Sequence, residues 1–401
     1  MDMISVEEAE KIILAQEQEY GTEVVPFEHA LGRVLAENIV ADRDLPPYNR
    51  ATMDGIAITY QAFVQQINTF TVRSTQAAGE SPVNIININE CVEIMTGAAL
   101  SASVDTVIRY EDIEIKGGLV FVLIDPANIK QGQNIHQKGK DKKQGDIAAK
   151  AGLRITPAII SLAASVGKTR LKVKKLPKII VISSGDELVD VVAEPLTYQI
   201  RRSNNYMVKA ALSQHGIIAD LLHIPDDPLI IAVKLKDCLQ KYDVILLSGG
   251  ISMGKFDYIP AALENSGAAK LFHKVTQRPG KPFWFGKHPV GTLVFAFPGN
   301  PVATFMCLHR YFLPWLNRSL NLPQPPTIYA RLATDFTFTP PLQYFLQVKL
   351  NFTHEAVLTA TPVEGNGSGD FANLVDTDAF IELPANRTNF KAGEVFKVWK
   401  F

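Results

Sequence analysis

Asp243-Val244-Ile245-Leu246-Leu247-Ser248-Gly249-Gly250-Ile251-Ser252-Met253-Gly254 is the most telling stretch of this 401-residue chain. A short apolar run enters a Ser/Gly turn directly, as expected of a parallel strand buried on both faces and ending at a loop. A second such run lies upstream, where Lys178-Ile179-Ile180-Val181-Ile182 enters Ser183-Ser184-Gly185-Asp186-Glu187. Between the two, Asn204 to His215 reads as a helix with Gly216 past its end, and Ile217 to Leu222 as a strand. Pro228 then stands where the first turn of a helix accepts it. Alternation of this kind between about Lys178 and Asn317 predicts a parallel sheet with right-handed crossovers.

Outward from this unit the texture changes. Ser5-Val6-Glu7-Glu8 reads as a capping box opening a helix to about Tyr20, with Gly21 as its stop. The apolar face of that helix needs cover, which a second copy of the chain would supply. From Pro46 to about Lys130, short runs such as Phe70-Thr71-Val72 and Leu119-Val120-Phe121-Val122 predict a small β domain. Leu322-Pro323-Gln324-Pro325-Pro326 reads as a linker, and Phe336 to Phe401 as a second β unit.

Composition narrows the class. A chain of 401 residues predicts two to four domains, and 47% hydrophobic with 20% charged residues is ordinary for a globular protein. A net charge of -1 gives no global field toward nucleic acid or an anionic membrane. Cys91, Cys238 and Cys307 lack metal or disulfide spacing and fit a reducing compartment. With no signal-peptide pattern and no membrane-length apolar run, a cytoplasmic protein is expected.

Ligands of open parallel sheets bind beyond the carboxyl ends of the strands. Read alone, Ser248-Gly249-Gly250 is a strand-ending turn and Asp186-Glu187 a helix cap; two such loops on one rim favour a phosphate or pterin pocket. The carboxylates would hold Mg²⁺ or polar ligand hydrogens. No GxxxxGK[ST] run marks a nucleotide P-loop. Arg278-Pro279-Gly280-Lys281-Pro282 is either a solvated turn or a rigid oxyanion site. Phe297-Pro298-Gly299-Asn300-Pro301-Val302 opens a helix and can aim N–H groups at a ligand. Thr52-Met53-Asp54-Gly55, Met95-Thr96-Gly97-Ala98 and Gly139-Lys140-Asp141 are weak signals in isolation. The eight histidines read as structural, and Cys307 as core.

In their order these motifs resemble the molybdopterin molybdenumtransferase family, called MoeA in bacteria and present as the E domain of gephyrin. Ala30-Leu31-Gly32-Arg33-Val34-Leu35-Ala36, Asp105-Thr106-Val107, Glu111 and Pro225-Asp226-Asp227 extend the likeness over nearly the whole chain. The resemblance implies a multidomain α/β protein. Residues 1–45 and 139–176 would form an elongated dimerisation segment, 46–138 an inserted β domain, 177–322 a MogA-like α/β domain and 323–401 a C-terminal β barrel. It implies a homodimer that inserts molybdate into adenylylated molybdopterin with Mg²⁺, releasing AMP, in a cleft completed by both subunits. The molybdopterin adenylyltransferase and recipient molybdoenzymes would be partners, and neither nucleic acid nor membrane is expected.

The roles implied are catalytic for Asp54, Thr96, Asp141, Glu187, Asp227 and Asp257, with Glu187, Asp227 and Asp257 as metal ligands. Ser184, Gly185, Ser248, Gly249, Gly250, Ser252, Gly254, Pro298, Gly299, Asn300 and Pro301 would hold the pterin nucleotide, and Arg278, Lys281 and Ser368 the molybdate. The chain departs from the family in two places. The usual GR-x-x-F run near the barrel start is replaced by Pro341-Leu342-Gln343-Tyr344-Phe345, so that Lys349 becomes the expected substitute cation; Arg278 stands where relatives often have Lys. The Gly365-Asn366-Gly367-Ser368-Gly369 turn is kept. Two other readings stay open. One is a molybdopterin adenylyltransferase, which would need neither the Asp54 nor the Thr96 motif; the other is a non-enzymatic scaffold, against which intact Asp54, Glu187 and Asp257 argue.

Overall fold

The computed structural model describes residues 3–251, 258–363, 365, 367 and 369–401. The chain divides into two compact units, 1–36 with 152–156 and 171–401, and 37–151 with 157–170. The segment expected to form a separate dimerisation domain is thus shared between them.

The first unit is built on a six-stranded sheet in the order Asp220–Ile224, Ile179–Ser184, Val244–Ser248, Leu293–Phe297, Trp284–Lys287, Ala269–His273. The first four strands are parallel, and the last two close the edge as antiparallel neighbours. Both faces are covered. Ile179, Val181, Val244 and Leu246 point into one core, while Ile180, Ile182, Ile245 and Leu247 point into the other. Two buried faces explain why these strands read as unbroken apolar runs rather than alternating ones. Pro228–Lys241 and Ile259–Asn265 contribute to the second core, and Asn204–Ser213 and the helices after Pro301 to the first.

The capping box forms: Ser5 N donates to Glu8 Oε2 at 2.9 Å and Glu8 N to Ser5 Oγ at 3.1 Å. The helix, however, is Val6–Leu14 and stops well before Tyr20. Tertiary contacts take over the next residues, since Trp315 Nε1 donates to Gln16 O at 2.8 Å and Gln18 N to Ser319 Oγ at 3.2 Å. Its apolar residues Val6, Ala9 and Ile13 are buried in the chain's own core. A second copy is therefore not required to cover them.

The C-terminal region is a closed five-stranded barrel. Gln343–Phe352 pairs with Leu358–Pro362 on one side and Ala379–Leu383 on the other, and Ile328–Leu332 and Val395–Lys400 complete the ring. A two-residue strand, Gln277–Arg278, joins the same sheet in parallel, with Gln277 opposite Gln343 and Arg278 opposite Tyr344. The turn carrying Arg278 and Lys281 is thereby tethered to the barrel.

The second unit is built on its own six-stranded sheet. Its sheet runs Thr106–Arg109, Gly55–Ile58, Glu90–Ile94, Thr69–Gln76, Leu119–Val122, Ile113–Lys116. Ile56, Ile58 and Ile108 fill one core; Ala57, Val92 and Val107 fill the other.

Candidate active site

A cavity of about 1150 Å³ in the first unit opens where the sequence led us to expect it, at the carboxyl ends of the parallel strands. Ser184, Gly185 and Glu187 line it, with Ser248, Gly249 and Gly250, the turn from Gln277 to Pro282, and Pro298 to Pro301. Four loops read separately thus converge on one space.

Close packing between the loops explains two of the glycines. Gly249 has φ +98°, and a Cβ there would lie 2.8 Å from the Ser184 carbonyl oxygen. At Gly185, with φ +141°, a Cβ would lie 2.4 Å from Glu187 Oε2, so the missing side chain leaves room for that carboxylate. Asn204 ties the rim together: its Nδ2 donates to Ser248 Oγ at 2.8 Å and to the Gly299 carbonyl at 2.7 Å. Gly249 N–H is itself spent on Phe297 O at 3.2 Å. The SGG turn is as much a structural joint as a donor surface.

The carboxylates separate into different duties. Ser184 Oγ donates to Asp226 Oδ1 at 2.8 Å, and Asp186 Oδ1 accepts from Asp226 N at 3.0 Å. Asp227 is the N-cap of Pro228–Lys241; its Oδ1 accepts from Leu229 N at 2.8 Å and Ile230 N at 3.0 Å. Asp226 lines the cavity and Asp227 is not among its lining residues. Asp227 is thus a helix cap whose Oδ1 is engaged by backbone N–H groups. Among the described residues no group of three His, Cys, Asp or Glu side chains forms a metal cluster.

Arg278 and Lys281 are exposed, and among the described residues neither has a carboxylate partner within ion-pair distance. The Arg278 guanidinium lies 5.8 Å from the Phe338 ring centroid. Lys349, the expected substitute cation, is instead 3.6 Å from Asp378 and does not line the cavity. Sequence reading missed Arg201, Arg202 and Asn204, which line it from the segment leading into Asn204–Ser213. The run Ile200-Arg201-Arg202-Ser203-Asn204-Asn205 before a helix start was the available signal. Arg202 pairs with Asp190; burial, and after it the Arg202 charge, holds the His223 imidazole below its ordinary range.

Asp54, Thr96 and Asp141 belong to the second unit. Asp54 Oδ1 accepts from Thr96 N at 2.6 Å and Thr96 Oγ1 at 2.7 Å, which holds its carboxyl below the usual range. Asp141 Oδ1 is 2.9 Å from His136 Nε2, and Arg50 lies 3.2 Å from the other ring nitrogen. Gly55 has a packing role, since a Cβ there would fall 1.9 Å from the Ile108 carbonyl oxygen. Ser252, Gly254, Asp257 and Ser368 lie outside the described residues.

All three cysteines are buried free thiols. Burial pushes Cys91 up to about 12 and Cys238 up to about 11, and raises Cys307 further, so none is a reactive thiolate at neutral pH. No helix among the described residues is long and apolar enough to cross a membrane.

Comparison with known proteins covers nearly the whole chain. Residues 4–167 match the MoeA N-terminal region (domain I and II), 180–318 a "probable molybdopterin binding domain", and 329–401 the MoeA C-terminal region (domain IV). A molybdopterin molybdenumtransferase of Synechocystis sp. is 39% identical over 396 residues, covering 98% of this chain and 99% of the relative. One from Staphylococcus epidermidis is 32% identical over 406 residues, covering 98% and 95%. A crystal structure of the molybdopterin biosynthesis MoeA protein from Pyrococcus horikoshii matches with a TM-score of 0.81 at 25% identity, over 100% of both chains. The convergence of its motif loops on one cavity and its end-to-end likeness to these relatives show that the chain belongs to the MoeA family.

Proposed function

We propose that the chain inserts molybdate into adenylylated molybdopterin, releasing AMP and the molybdenum cofactor. The observation that carries this reading is the pairing of opposite chemistries in one cavity: Glu187 and Asp226 on the sheet rim, Arg278 and Lys281 on the turn. The cations suit a tetrahedral dianion, which must be paired wherever it is partly desolvated. The rim loops suit the pterin and its phosphates. With no reactive thiolate in reach, catalysis rests on positioning and on electrostatic stabilisation of the leaving AMP.

Mg²⁺ fits this donor set, because it takes one or two carboxylates together with substrate phosphates. Glu187 and Asp226 would hold it, with Asp257 a further candidate on its motif. Bound there, it would polarise the phosphoanhydride. Asp54, Thr96 and Asp141 are assigned to the reaction on their motifs, and the assembly is proposed as a homodimer. A cytoplasmic location is proposed from the three free thiols.

The test is AMP release from adenylylated molybdopterin, measured with and without molybdate. Release that requires molybdate supports the reading. Formation of the adenylylated intermediate from ATP and molybdopterin would favour an adenylyltransferase instead. Binding without turnover would favour a scaffold. Light scattering that gives a monomer mass at micromolar concentration would remove the dimer.

A further inference from the structure

Gln277 is a polar side chain with no exposed surface, next to the turn that bears Arg278 and Lys281. Its surroundings are apolar: Val275, Phe283, Met306, Cys307 and Tyr311 belong to the core on that side. Burying an amide there is costly unless its groups are bonded. The Gln277 amide meets that condition by joining two elements. Its Nε2 donates to Gly280 O at 3.0 Å, across the turn itself, and its Oε1 accepts from the Tyr311 hydroxyl.

The turn has little freedom around this strut. Gly280 has φ +89°, and a Cβ there would lie 2.8 Å from Gln277 Nε2 and 2.9 Å from Cys307 Sγ. Lys281 O accepts from Val275 N at 2.9 Å and Phe283 N at 3.1 Å. On the barrel side, Gln343 N donates to Thr276 O at 3.0 Å. The Arg278 guanidinium lies by Phe338, which stacks on Tyr344 with ring centroids 4.2 Å apart. The two cations are exposed, but the backbone that carries them is fastened on three sides.

We infer that Gln277 and Tyr311 are positioning residues that hold Arg278 and Lys281 at the separation a molybdate-sized oxyanion requires. This rests on the reading that the turn receives molybdate. A buried network that immobilises groups contacting the ligand sharpens selectivity as well as affinity, because a slack turn adapts to anions of other sizes. Sulfate, a smaller tetrahedral dianion, should then be excluded by the intact strut and tolerated without it.

The experiment compares Gln277→Met/Tyr311→Phe with wild type; the double variant removes both polar partners and keeps the volume apolar. Half-saturating molybdate should rise about tenfold, or about 1.4 kcal/mol, with kcat and the KM for adenylylated molybdopterin within about twofold. Sulfate should become a stronger competitor relative to molybdate. A folded variant with unchanged molybdate dependence and unchanged sulfate competition would overturn the inference, since a structural amide would lower only the melting temperature. Tyr311→Phe alone serves if the double variant does not fold, with the same shifts at about threefold; no shift in it overturns the inference equally. Arg278→Ala separates the two levels. If it leaves molybdate dependence unaltered, the reading of the turn fails; if it raises that dependence while the strut variants do not, only the strut fails.

Discussion

The Asp54 turn and the Arg278 turn belong to matching motifs of one family, yet they are built on opposite plans. Asp54 is an exposed carboxylate whose Oδ1 already accepts two hydrogen bonds from Thr96. Arg278 and Lys281 are exposed cations without a carboxylate partner among the described residues, on a backbone whose neighbouring polar groups are bonded. In one turn the charge itself is steadied by hydrogen bonds. In the other the backbone is steadied and the charges have no carboxylate partner among the described residues. A mutation should therefore show as an altered pKa in the first and as lost ligand affinity in the second.

The largest test of that contrast is on the rim itself. Glu187→Ala should lower AMP release by about 10²-fold or more, comparable with losing a main electrostatic contact, at nearly unchanged thermal stability. Wild-type turnover in a folded mutant would remove Glu187 from the reaction. Arg278→Ala should follow, raising the molybdate requirement by about one to two orders of magnitude, or roughly 1.5–3 kcal/mol. Excess molybdate should restore its turnover; a loss of pterin-nucleotide affinity that molybdate cannot rescue would give the turn to the phosphate.

Acid sharpens the comparison at the level of the two units. In the first, burial holds His309 down to about 4 from 6.5, and His215, His223 and His273 are lowered as well. The unfolded chain then binds protons before the folded one, so stability present above about 6.5 is lost as pH falls toward about 4. In the second unit Glu90 is lowered to about 2 by hydrogen bonds from Ile86 and Asn87, and its contribution persists until pH falls below about 4.5. Amide protection factors, taken relative to the intrinsic exchange rate at each pH, should therefore fall in the first unit between pH 7 and pH 5 and stay steady in the second. His309→Leu should soften that response; an equal fall of protection factors in both units would contradict the assignment. The smallest effect is local. Thr96→Val should raise the Asp54 titration midpoint toward the ordinary carboxylate range in a carbon-detected NMR titration, and an unmoved midpoint would mean that Thr96 does not hold it.

What could be read in advance had a local cause. Strands buried on both faces, such as Ile179–Ser184 and Val244–Ser248, must be apolar throughout, and loops that follow them must open at the sheet rim. The capping box at Ser5 is also a property of four neighbouring residues. Nothing local ends the first helix at Leu14; the residues that hold the next segment, Trp315 donating to Gln16 O and Ser319 accepting from Gln18 N, lie some 300 positions away. Of the adjacent carboxylates Asp226 and Asp227, composition cannot say which caps a helix and which lines a cavity, because that depends on where the backbone turns. Gln277 carries the same lesson: in the chain it is one polar residue beside two cations, and only packing against Tyr311 and Gly280 makes it a strut. Motif chemistry is written along the chain, whereas the choice of which groups are already bonded, and which remain for a ligand, is made by contacts between distant segments.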